Sequence, residues 1–161
     1  MIKSAEISEC GRWRYRLTRL WDRGSQPLVF VLLNPSVADS VVDDPTIFRC
    51  ISFARRDGFG GIEVLNLFAL RTTQPARLKI VEDPVGPNNW RTWAGVLDHH
   101  KAVVFGWGAS KGTDKGEQIR RLMKLCHSRH VQPTCLGTTK DGSPRHPLFL
   151  GSDTQREGWP K

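Results

Sequence analysis

Three polar side chains stand where the surrounding pattern gives them no ordinary reason to be. Asn34 follows the apolar run 28–33, Asn66 falls at the end of the run 62–67, and His146 sits between Arg145 and Pro147 after a Gly-Ser-Pro turn. A carboxamide presents a donor and an acceptor side by side, so it can match the edge of a nucleobase or hold a water molecule. An amide buried without partners costs about 1–3 kcal/mol, so each asparagine must find something to bond. Taken singly, either could bond loop backbone, as asparagines do in turns. Two of them at neighbouring strand ends point to a site. His146 is open in the same way, as a structural bridge or as an electrophile.

The elements that would position these groups follow from hydrophobic patterning. Four short apolar runs, 28–33, 62–67, 102–105 and a weaker 134–136, read as buried strands, and helix-like stretches separate them. This βαβ rhythm predicts a three-layer α/β/α sandwich with a short, mainly parallel central sheet. Ligands of such sheets bind at the carboxyl ends of the strands. Those ends carry Asn34-Pro35-Ser36, Asn66, Gly106-Trp107-Gly108, and Gly137-Thr138-Thr139 followed by Arg145-His146-Pro147. The first helix is expected to be capped by Asp44, to begin at Pro45 and to stop at Gly58. The second and third are expected over 88–99 and 115–127. Upstream, residues 12–20 alternate, with Trp13, Tyr15 and Leu17 on one side and Arg12, Arg14 and Arg16 on the other. That predicts an N-terminal antiparallel strand at the sheet edge. Its arginine row reads either as a phosphate-binding ridge or as a guard against edge-to-edge pairing. From Thr138 onward, a long structured loop and a short tail are expected.

A chain of 161 residues is expected to form a single α/β domain over 1–161. Its 24 Lys plus Arg against 16 Asp plus Glu leave a net charge of +8, which favours polyanionic partners and makes nucleic acid a candidate. No apolar run approaches the roughly 20 residues that cross a bilayer, and residues 1–10 lack a signal-peptide core. A cytoplasmic protein with no membrane association is the expectation. Cys10, Cys50, Cys126 and Cys135 form no C-x-x-C pair and read as reduced thiols, and neither a metal nor another cofactor is expected. The Gly-rich stretch 106–112 lacks the Walker spacing of a phosphate loop. In the acidic loop, Asp44 is accounted for as the helix cap. Asp39 and Asp43 are either solvated or able to hold a water or cation.

The segments Leu33-Asn34-Pro35-Ser36, Asp43-Asp44-Pro45-Thr46, Asn66-Leu67-Phe68-Ala69 and Pro144-Arg145-His146-Pro147-Leu148 together resemble a bacterial and phage family known only as a domain of unknown function. A more distant resemblance links residues 30–36 to the first motif of the mismatch-specific uracil/thymine DNA glycosylases. Residues 65–78 are similar to the segment after their second strand, and His146-Pro147-Leu148 to a shortened His-Pro loop of the wider superfamily. Ser36 stands where that first motif has glycine, and an asparagine stands in place of the aspartate of the classical uracil enzymes.

The resemblance implies a uracil-DNA-glycosylase-like fold and hydrolysis of a nucleobase N-glycosidic bond, on modified or damaged DNA. In this reading Asn34 orients the attacking water, Asn66 reads the base edge and His146 donates a hydrogen bond to the departing base. Pro35, Ser36 and Trp107 would line the base site, with Phe48 as a stacking ring whose default role is helix packing. Without a carboxylate at Asn34 the turnover is expected to be slow unless Asp39 or Asp43 assists. Arg71, Lys111, Lys140 and Arg145 are the expected contacts to the nucleic-acid backbone. Two other readings remain: a binding module that keeps the pocket without the chemistry, and a pocket for free nucleotides or nucleosides.

Overall fold

Every residue from Leu28 to Leu32 is buried, as suits a strand covered on both faces. In the computed structural model, which describes residues 1–109 and 112–161, this segment forms the middle strand of a seven-stranded sheet. The strands are β1 (Ile2–Ile7), β2 (Arg14–Leu20), β3 (Pro27–Leu32), β4 (Gly61–Asn66), β5 (Val103–Phe105), β6 (Thr134–Cys135) and β7 (Glu157–Gly158). Their spatial order is β1-β2-β4-β3-β5-β6-β7. The central four, β4-β3-β5-β6, run parallel, while β1, β2 and β7 join antiparallel at the flanks. The sheet is therefore mixed, with a parallel centre.

Strand alternation divides the core in two. Helix α1 (Pro45–Arg56) packs Ile47, Phe53 and Ala54 against Leu28, Phe30, Leu32, Ile62 and Val64. Helices α2 (Asn89–His99) and α3 (Gly116–Ser128) pack Trp93, Leu97 and Leu122 against Val29, Val31, Leu65 and Phe105 on the other face. Asp44 caps α1 by accepting from the Ile47 amide at 2.9 Å, Pro45 follows, and Gly58, at φ +80°, lies just beyond the end of the helix. The chain leaves β3 for β4 on one side and later returns to β5 on the other. This reversal opens a crevice at the carboxyl ends of β3 and β5. Among the described residues no helix is long and apolar enough to cross a membrane.

Two expectations are corrected at the flanks. The segment 12–20 is antiparallel but is not an edge, because β1, a polar strand with little hydrophobic signal, pairs along it and forms the edge itself. The supposed tail contributes β7, the opposite edge. The alternation within β2 is also broken. The register runs Ala5↔Leu17, Glu6↔Arg16 and then Ile7↔Arg14, so Tyr15 is an extra residue. Such a bulge re-aims the side chain before it. Arg14 and Arg19, an odd number of residues apart, consequently reach the same loop. Arg14 donates to the Ala38 carbonyl at 2.8 Å, and Arg19 donates to the Asp43 carboxylate at 2.6 Å. Both are buried, at 2% and 0% exposure, instead of Arg14 projecting outward with Arg12 and Arg16.

Candidate functional site

The crevice holds a cavity of about 550 Å³, and Asn34, Asn66 and His146 all line it, together with Pro35, Ser36, Trp107 and Arg145. Asn34 is fixed by two bonds from its Nδ2, to the carbonyls of Pro35 at 2.9 Å and Thr72 at 2.8 Å. The Thr72 amide returns a bond to Pro35 at 3.0 Å, so the loops after β3 and β4 are stitched together. With both amide hydrogens committed, Oδ1 is the atom with which Asn34 can hold a ligand or water.

Asn66 is set differently. Its backbone carbonyl accepts from Asn89 Nδ2 at 2.9 Å and Trp93 Nε1 at 3.1 Å, which anchors the end of β4 to α2. Its side-chain Oδ1 accepts from Arg14 Nη2 at 3.3 Å, while its Nδ2 is buried with no partner. A flipped amide would set two donors against each other, so Arg14 dictates the orientation. A buried donor left unpaired costs about 1–3 kcal/mol unless an acceptor reaches it.

His146 reaches the cavity because glycine lets its loop approach the sheet. A Cβ on Gly106 would lie 2.9 Å from Pro147 Cδ and 3.1 Å from Leu32 Cδ2, and the Gly108 amide donates to the Pro144 carbonyl at 2.9 Å. Gly106→Ala is expected to cost about 1–3 kcal/mol through this overpacking and to displace the 144–147 loop; thermal unfolding checks the first effect and base release the second. His146 Nδ1 accepts from the Leu148 amide at 3.2 Å, so the neutral ring carries its hydrogen on Nε2. Burial holds the imidazole pKa below its ordinary value, with the negative charge of Asp44 acting in the opposite direction. The ring is a neutral hydrogen-bond donor at physiological pH.

Among the described residues the acidic one that lines the cavity is Asp44. One of its oxygens caps α1, and its charge is felt at both Arg14 and His146. Asp39 bonds the Val41 and Val42 amides at 2.8 Å each, Asp43 pairs with Lys3 and Arg19 at 2.6 Å each, and neither lines the cavity. Arg14 also lines it and forms no ion pair among the described residues. Its pKa is lowered to about 10 by burial, with Arg71 and Arg19 adding to the effect and Asp44 opposing it, so it remains cationic at neutral pH. Sequence reasoning missed Arg14 because of the bulge, and missed Asp44 because the cap alone accounted for it.

The remaining expected residues are dispersed. Phe48 is 59% exposed and does not line the cavity, Lys140 is exposed on a turn, and Arg71 lines a neighbouring cleft. Lys111 lies outside the described residues. Phe149, which the sequence did not single out, stands 78% exposed on the cavity wall with its ring 5.8 Å from that of His146.

A family model described as a protein of unknown function (DUF1643) matches residues 14–148. The chain belongs to this family. No curated protein and no solved structure matches it. The DUF1643 span starts at Arg14 and ends at Leu148, both on the cavity wall, and it leaves the edge strands β1 and β7 outside. The family segment thus contains β2, the parallel centre of the sheet and the cavity wall up to Leu148.

Proposed function

We propose that this DUF1643 protein hydrolyses the N-glycosidic bond of a nucleobase in DNA, with a uracil-DNA-glycosylase-like arrangement of its parallel strands around the site. The observation that carries this reading is that Asn66, whose Nδ2 is buried without a partner, and His146, whose neutral ring carries its hydrogen on Nε2, line the same cavity. These two donors suit a planar heterocycle with carbonyl oxygens, one to be recognised and one to gather charge as the base leaves. An enzyme acting on a base in a duplex rotates it out of the stack and reads its edge in a pocket. During the reaction the C1′–N bond breaks with its electron pair moving to the base, whose charge His146 receives. The oxygen of a water held by Asn34 Oδ1 bonds to C1′, and its proton passes to Asp44, whose charge also faces the cation-like sugar. The base anion then takes a proton from solvent.

Asn66 offers a donor because Arg14 occupies its oxygen, so the site selects a base with a carbonyl at the recognised edge. An amino group there would set donor against donor. The test is release of free base from oligonucleotides carrying uracil, mismatched thymine, hypoxanthine, cytosine or adenine. Release is expected from uracil, thymine and hypoxanthine, which carry a carbonyl where cytosine and adenine carry an amino group, and is weakened in Asn66→Ala. Arg14→Met frees the amide to turn and is expected to narrow the difference between uracil and cytosine. DNA binding without release of any base would overturn the proposal. The binding-module reading has one observation in its favour, the commitment of the Asn34 amide hydrogens to backbone. It requires that Asp44→Asn leave every measurable activity intact.

A further inference from the structure

A second cleft, of about 390 Å³, adjoins the base cavity and shares Ser36, Thr72 and Thr73 with it. Its distinguishing groups are Arg71 and Arg77, and among the described residues no carboxylate lines it. Arg71 donates from Nη1 to the Gly11 carbonyl at 3.2 Å, its Nε is buried with no partner, and it forms no ion pair among the described residues. A carboxylate that senses its charge, Asp39, accepts from the Val41 and Val42 amides through Oδ1. Arg77 is exposed and likewise forms no ion pair among the described residues.

Two guanidinium groups that form no ion pair among the described residues, set beside hydroxyl side chains, make a site for a tetrahedral oxyanion, because planar N–H forks match phosphate oxygens. Its contiguity with the base cavity fixes which oxyanion. We propose that the Arg71–Arg77 cleft is a phosphate subsite for the nucleotide whose base enters the neighbouring cavity. The substrate is then phosphorylated, which excludes a free base or nucleoside. This inference rests on the nucleobase reading only for the choice of ligand, since the cleft binds phosphate whether or not the glycosidic bond is cut.

The test uses a single-stranded oligonucleotide with a tetrahydrofuran abasic site, which has no base to be read at that position. Its affinity is measured against salt concentration. Each phosphate neutralised on a single strand contributes about 0.7 to the slope of log affinity against log salt, so the Arg71→Gln/Arg77→Gln variant, which empties a subsite for one phosphate, is expected to lose about 0.7. Arg77→Gln alone, an exposed change compatible with folding, should lose about half of that. Arg71→Lys should keep the slope, and Lys124→Gln on α3 should retain it too. Thymidine 5′-monophosphate should compete where thymidine does not, and this competition should disappear in the double variant. Arginine-dependent competition by the monophosphate with no strand affinity would assign the phosphate to a free nucleotide and uphold the subsite. An unchanged slope in Arg77→Gln together with unchanged competition in the double variant would overturn it, as would equal losses from Lys124→Gln. Base release with an unaltered slope sinks the subsite alone, whereas an altered slope without release from any base sinks the glycosidic reading alone.

Discussion

Asp44→Asn is expected to slow base release by about a hundredfold to ten-thousandfold, the range that a positioned acid or base group supplies. Asparagine serves the start of a helix about as well as aspartate, so the bond to the Ile47 amide survives and α1 keeps its place. What disappears is the negative charge and the ability to take a proton. Among the described residues no other carboxylate lines the cavity, and Asp39 and Asp43 are held away by the Val41 and Val42 amides and by Lys3 and Arg19. Single-turnover rates on the best substrate from the base panel measure the effect, and a melting curve checks that the fold is kept. A variant with undiminished rate would show that no proton passes through Asp44. Asp44→Ala separates the roles further, because it removes the cap as well and should cost about 1 kcal/mol of stability in addition to the rate.

The parallel centre of the sheet was legible because its strands are short, apolar and buried on both faces. The runs 28–33, 62–67, 102–105 and 134–136 correspond to β3, β4, β5 and β6 within a residue or two. Capping chemistry also made α1 legible, since Asp44, Pro45 and Gly58 mark its limits. The flanking strands were not legible. β1 reads Ile-Lys-Ser-Ala-Glu-Ile with most of its length exposed, so hydrophobic patterning is weak there, and β7 has two residues whose pairing depends on where β6 lies. Alternation in β2 predicted the wrong face for Arg14 because one bulged residue inverts everything on its far side.

The candidate site divides along the same line. Asn34, Asn66 and His146 could be found because polar groups beside apolar strand ends are costly unless used, and the strand-end rule places them at one rim. Asp44 was hidden by having a sufficient local role. Nothing within residues 39–47 indicates that the 144–147 loop arrives opposite the cap, a consequence of Gly106 and the exit of β5. Phe149 was hidden because a single exposed aromatic side chain is unremarkable until it is seen beside His146.

Removing the imidazole tests the other half of the chemistry. His146→Asn should lower the rate of base release by about a hundredfold to a thousandfold, the usual effect of deleting a donor aimed at developing negative charge. An asparagine can still accept from the Leu148 amide as His146 Nδ1 does at 3.2 Å, so the loop is retained while the Nε2–H is lost; His146→Ala should lose both. The pH dependence gives an independent check. Protonation would place a second ring hydrogen against the Leu148 amide and break the bond that orients the ring, so the neutral form is the active one. Burial lowers the folded pKa below the ordinary 6.5, despite the charge of Asp44, and the acid limb of the wild-type rate should therefore lie below pH 6.5. As pH falls, the unfolded chain takes this proton before the folded one does. The contribution of His146 to stability is accordingly complete above about pH 6.5 and is lost as pH drops toward the folded value. Melting temperature should decline with pH over that interval in the wild type and less so in His146→Asn. If the residual activity of the variant kept the same acid limb, the titrating group would be another residue, and His146 would be a loop bridge that never meets the base.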